Sequence, residues 1–158
     1  MPVSHDIFLE LPPPSAFAQE VETAQRMLIQ WQGKKYALES QLHITPQILH
    51  LVITDPLGRR FLTLSWDGKQ ILEERAPWLP KEVRSTILVA HILLVHAPSE
   101  AFSGRLHGGI LTDNGKLRTV STKDHRVMTI TYQNTPWNGV IHFLHHELNY
   151  ELTLEIAD

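Results

Sequence analysis

The sequence predicts a mainly β, α+β domain: one antiparallel sheet of about ten strands, curled into a half-barrel around a single apolar helix. Three observations predict it. Alternating apolar and polar runs, broken by short turn sequences, fill both halves of the chain. One segment between the halves has helical spacing and is apolar on nearly every side. The 158 residues, 42% apolar and 20% charged, suit one domain with its own core.

Residues 1–20 read as an extended N-terminal tether, because Pro12-Pro13-Pro14 favours polyproline geometry and opposes both helix and central strand. The half-barrel domain is expected over 21–158. Strands begin near residue 22, with Met27, Ile29 and Trp31 on one face. After Gly33-Lys34, Tyr36, Leu38, Ser40, Leu42 and Ile44 share a face opposite Glu39, Gln41 and His43. That period of two marks a half-buried strand. Residues 48–54 form the next strand, and Asp55-Pro56-Leu57-Gly58 has the residues of a tight turn. Residues 61–66 and 70–75 pair across the hairpin signal Asp67-Gly68.

Pro77 and Pro80 stop the sheet, and 81–97 is expected as helix. Its apolar positions cover most of the circumference in the second half, so it belongs inside the fold. Pro98 ends it, and Ser99 would open a short helical turn reaching Arg105. Strands then resume at 110–112, 116–121, 126–133, 140–144 and 150–156, with turns at Asp113-Asn114-Gly115 and Pro136–Gly139. A sheet this wide must twist and curl, and the helix is the natural plug for its concave face.

Composition narrows the function classes. A net charge of -3 and a pI near 6.3 oppose nucleic-acid binding. The absence of cysteine removes disulfides, thiolate catalysis and Cys-based zinc sites. No nucleophile elbow, phosphate loop or dinucleotide fingerprint occurs, so no enzyme, catalytic residue or cofactor is expected. Residues 1–14 lack the basic start and apolar stretch of a leader, and the chain as given is expected to be soluble.

Three features carry the candidate sites. Trp31, Tyr36, Leu64 and Trp66 from strands, with Ile87, His91, Leu94 and Val95 from the helix, are expected to line an apolar cavity. Such a cavity suits an acyl chain, which gains about 0.8 kcal/mol per buried methylene; the alternative is a filled core. Leu57 stands at a turn tip followed by Arg59 and Arg60, a pattern suited to membrane contact unless the leucine folds back on the sheet. Finally, His142, His145, His146 and Glu147 are close in sequence, but strand alternation splits them between two faces, so no metal site is expected.

Thr54-Asp55-Pro56-Leu57-Gly58-Arg59-Arg60, Thr63-Leu64-Ser65-Trp66-Asp67-Gly68 and Glu74-Arg75-Ala76-Pro77-Trp78-Leu79-Pro80 resemble a family of uncharacterised lipoproteins of the proteobacterial outer membrane. Pro136-Trp137-Asn138-Gly139 and Tyr150-Glu151-Leu152 fit the same resemblance. The curled sheet with its inserted helix is similar to the lipoprotein-localisation fold of the periplasmic lipoprotein carrier and its outer-membrane receptor, whose protruding leucine loop Leu57 resembles. The resemblance implies a monomeric lipoprotein-type domain at the periplasmic face of the outer membrane, with a lipid or acylated protein and the membrane surface as partners. It implies a role in lipid or lipoprotein trafficking, or else an accessory part in synthesis or export of an aryl polyene-type lipid. The family's lipid-accepting cysteine is absent here.

Overall fold

The computed structural model describes residues 2–79, 81 and 83–156. Pro80, expected to help stop the sheet, and Glu82, expected in the helix, lie outside the described residues. In chain order the elements are β1 (Phe8–Leu9), β2 (Val21–Trp31), β3 (Lys34–Ile44), β4 (Leu49–Thr54), β5 (Arg60–Trp66), β6 (Ile71–Arg75), α1 (Ser85–His96), β7 (Leu106–His107), β8 (Ile110–Asp113), β9 (Leu117–Ser121), β10 (Arg126–Tyr132), β11 (Gly139–His145) and β12 (Tyr150–Ile156).

Ten of the strands form one antiparallel sheet in the order β6-β5-β4-β3-β2-β12-β11-β10-β9-β8. Two meanders, β2 to β6 and β8 to β12, are joined where β2 pairs with β12. The sheet is not closed, since β6 and β8 are its two ends. The period-two reading fixes the faces. Leu42, Leu51 and Leu64 lie in one cross-strand row, and Ile130, Phe143 and Leu152 in another. All six are buried.

The helix lies against this inner face. Val89, Ala90, Leu93, Leu94 and Val95 have no exposed surface. Side chains from β2 (Gln25), β6 (Glu73), β9 (Arg118), β10 (Tyr132) and β11 (Phe143) all touch it. Fully burying one such aliphatic side chain contributes about 1.5–3 kcal/mol, so the helix is held by packing rather than by propensity. It starts at Ser85, four residues later than the spacing predicts. Arg84 is extended, at φ -108° and ψ 130°, and Arg75 Nη2 donates to the Val83 carbonyl at 2.9 Å, drawing that stretch toward β6. After Pro98 a short 3₁₀ helix forms over Ser99–Phe102, shorter than the expected turn to Arg105 and without a capping bond from Ser99, since Pro98 stands at the cap. No helix among the described residues is long and apolar enough to cross a membrane.

Residues 2–20 correct the expectation of an extended N-terminal tether: they form a strap that packs buried side chains into the core. β1 pairs with β7, Trp66 Nε1 donates to the Pro12 carbonyl at 2.8 Å, and Phe17 meets the Trp137 ring. Val3, Ile7, Leu9 and Phe17 are buried in the same core as the helix. Gly108 permits the crossing. Its φ is +83°, and a Cβ there would stand 2.1 Å from the Asp6 carbonyl oxygen.

Candidate functional site

The helix is pinned at its C-terminal end, where backbone carbonyls lack partners within the helix. Arg118 Nη1 donates to the Leu94 carbonyl at 2.7 Å and the Ala97 carbonyl at 2.8 Å. Its Nε and Nη2 donate to Asp113 Oδ2 at 2.9 and 2.6 Å. Tyr132 donates its hydroxyl to the Val95 carbonyl at 2.5 Å. This places a buried cation at the negative end of the helix dipole. Burial works to raise the Asp113 pKa, but the bonds from Gly115 and Arg118 outweigh it and leave the carboxyl below its ordinary value.

His96 extends the anchor. Its Nδ1 donates to the Pro136 carbonyl at 2.7 Å, so Nε2 accepts from Gln25 Nε2 at 2.9 Å. The ring stacks on Trp137 at 4.3 Å. The N-terminal end is held less firmly: Arg84 gives no side-chain cap, and the Ser85 hydroxyl donates to Glu73.

His91 lies mid-helix, 4.6 Å from the Phe143 ring and 5.4 Å from that of Tyr150. Its Nδ1 is buried with no hydrogen-bond partner among the described residues. Burial lowers its pKa to about 3, assisted by His145 nearby. Burial also lowers His96 to about 3. His145 donates from Nε2 to the Val3 carbonyl at 2.9 Å and accepts from the Leu148 N–H. Burial lowers its pKa too.

Of the eight residues expected to line a cavity, Leu64, Trp66, His91, Leu94 and Val95 are packed in the core. Ile87 and Trp31 are half-buried, and Tyr36 is exposed at the far end of the β2–β3 hairpin. The fold therefore gathers five of them and leaves Ile87, Trp31 and Tyr36 apart. None of the eight lines either of two surface cavities. One, about 620 Å³, is bordered by Gln41, Val52, Arg60 and Glu155; the other, about 170 Å³, by Gln30, His146 and Tyr150.

The 55–58 turn is built to hold Leu57 outward. The Asp55 carboxylate accepts from the Leu57 N–H at 2.9 Å, the Arg59 N–H at 2.8 Å and Arg59 Nε at 2.6 Å. Burial works to raise the Asp55 pKa, but these bonds outweigh it and leave the carboxyl below its ordinary value. Gly58 closes the turn at φ +86°. Leu57 is 84% exposed and does not fold back on the sheet. Arg59 and Arg60 are exposed beside it.

The histidine run does separate, but alternation accounts only for His142 and His145, because β11 ends at His145 and a turn carries His146 and Glu147. His142 bonds Thr153, His146 bonds Thr129, and Glu147 pairs with His125. Among the described residues, no three His, Asp or Glu side chains are placed to hold a metal. Sequence reasoning missed Arg118, His96 and Trp78. An inward-facing arginine on a strand otherwise apolar inside was the one available signal for the first.

No curated protein matches the chain. Residues 22–158, from the start of the sheet to the last strand and beyond, match the family described as protein of unknown function, DUF3261, and the chain belongs to that family.

Proposed function

We propose that this chain is a lipoprotein-type domain at the periplasmic face of the outer membrane that takes a lipid, or the acyl chain of an acylated protein, into a lipoprotein-localisation-like half-barrel. The helix is a displaceable plug. The observation that carries this reading is a helix whose Val89, Ala90, Leu93, Leu94 and Val95 are fully buried against a sheet that is not closed, with more side-chain bonds at its C-terminal end than at its N-terminal end. The β6 and β8 edges can part without breaking a ladder between them, and the helix can pivot about the Arg118 anchor. Moving it uncovers Val89, Leu93 and Leu94; an incoming chain restores about 0.8 kcal/mol per buried methylene. Leu57, Arg59 and Arg60 serve as the membrane contact. The reading needs no catalytic group or cofactor, and it assumes a monomer with no nucleic-acid partner.

The decisive experiment is native mass spectrometry with lipid extraction of protein from its own host, beside uptake of a fluorescent fatty acid in solution. A co-purifying lipid and saturable uptake are expected. Protein free of lipid that takes up no probe would overturn the proposal. It would favour a second reading, a non-ligand-binding accessory of an aryl polyene-type lipid synthesis or export system. The observation behind that reading is the complete burial of Val89, Ala90, Leu93, Leu94 and Val95, which already fill the interior.

A further inference from the structure

Trp78 lies between β6 and α1 and is 53% exposed. Its ring meets Phe61 edge-on at 4.4 Å, and the Arg59 guanidinium lies 5.9 Å from the ring centroid. Arg59 is also the residue locked to Asp55, so one guanidinium links the Leu57 turn to the tryptophan. Two large apolar side chains from separate loops therefore stand at one end of the sheet. Exposed cations accompany them: Arg59 and Arg60 on β5 and its turn, with Lys81 and Arg84 following Trp78 in the chain. The one carboxylate in the turn, Asp55, is buried and already engaged by Arg59. Asp55 and Arg59 cancel as a pair, so the positive charge offered beside the two apolar side chains is that of Arg60, Lys81 and Arg84, with Glu39 and Glu155 across the cavity that Arg60 borders.

We propose that Leu57 and Trp78 form a two-pronged contact for an anionic phospholipid surface. The arrangement matches what a bilayer interface asks of a peripheral protein. A leucine reaches the acyl boundary, an amphipathic indole seats at headgroup level, and guanidinium groups lie level with phosphates. One prong alone gives weak, reversible attachment, and two signals together give stable docking. The pre-formed turn lets Leu57 insert without ordering a loop. The inference rests on the membrane-facing part of the proposed function and adds Trp78 and the lipid charge to it.

The test uses the full chain with vesicles of phosphatidylcholine alone or mixed with phosphatidylglycerol. Co-sedimentation is expected with the mixed vesicles, weakened by high salt and much reduced with phosphatidylcholine alone. Leu57→Ala and Trp78→Ala should each weaken partition by about tenfold. Mixed vesicles should blue-shift the tryptophan emission, and Trp78→Phe should abolish most of that shift while retaining an aromatic ring against Phe61. Wild-type binding by Trp78→Ala, an undiminished blue shift in Trp78→Phe, or capture of an acidic protein without vesicle binding would each overturn the proposal. Fatty-acid uptake measured without vesicles separates the two ideas: docking without uptake leaves this contact standing and removes the carrier reading, while uptake without docking does the reverse.

Discussion

Acidification should loosen the closed core through His91 and His96. Both are neutral and buried, and burial lowers each from the ordinary 6.5 to about 3. The unfolded chain therefore binds more protons than the folded one between those values. The stability these histidines protect is fully present above 6.5 and is lost as pH falls toward 3. By linkage each costs about 2 kcal/mol at about pH 5, and the pair about 4 kcal/mol. That is a large share of the roughly 5–15 kcal/mol available to a domain. His145, lowered by burial, adds in the same direction. The measurement is urea unfolding of wild type and His91→Leu at about pH 7.5 and about pH 5, a window above most carboxylate titration. At the higher pH the leucine variant should match or exceed wild type, because His91 Nδ1 has no partner to lose. At the lower pH its advantage should grow by about 2 kcal/mol. An identical pH dependence in the two proteins would refute the reasoning.

Arg118→Met should destabilise the fold by about 3–5 kcal/mol, because it leaves two helix carbonyls and Asp113 without their partner; a loss under about 1 kcal/mol in denaturant unfolding would show that the anchor is dispensable. Gly108→Ala should displace the N-terminal strap, read as faster proteolysis ahead of β2, since its Cβ would overlap the Asp6 carbonyl. Leu57→Glu should leave thermal unfolding within about 0.5 kcal/mol of wild type, given its exposure; a larger change would mean that the turn packs against something in solution.

Local chemistry made much of the fold legible. Tyr150, Leu152, Leu154 and Ile156 alternate with Glu151, Thr153 and Glu155, and the strand follows those bounds. Asp55, Asp67 and Asp113 accept the turn N–H bonds that their positions suggest. Long-range chemistry was hidden. Ile7, Leu9 and Phe17 have no period of their own, so the proline run dominated the reading, whereas pairing with Leu106 and the Trp66 bond to Pro12 tie the segment down. Lys81 and Val83 fit the helical spacing, but the Arg75 bond to the Val83 carbonyl and the extended Arg84 keep that stretch out of the helix. Alternation separates His145 from His142 but does not say which face is inside; His145 is the buried one, because β11 keeps its alternation to the last residue. The candidate interior was legible from the helix, but its anchor was not, since Arg118 and His96 acquire meaning only beside carbonyls supplied by other elements.

The seam between β2 and β12 has a kinetic consequence. Each meander is a run of hairpins whose strands are near neighbours in sequence, so each can form locally. The seam instead pairs Gln25 with Ile156 and Trp31 with Tyr150, residues from nearly opposite ends of the chain. Bringing them together closes almost the whole polypeptide into a loop, and that entropy must be met before the ladder returns any energy. The helix lies inside the loop so closed, and its buried faces can pack fully only once both meanders are in place. Refolding should therefore be governed by docking of two preformed half-sheets on a shared helix, at the slow end for a domain of this length.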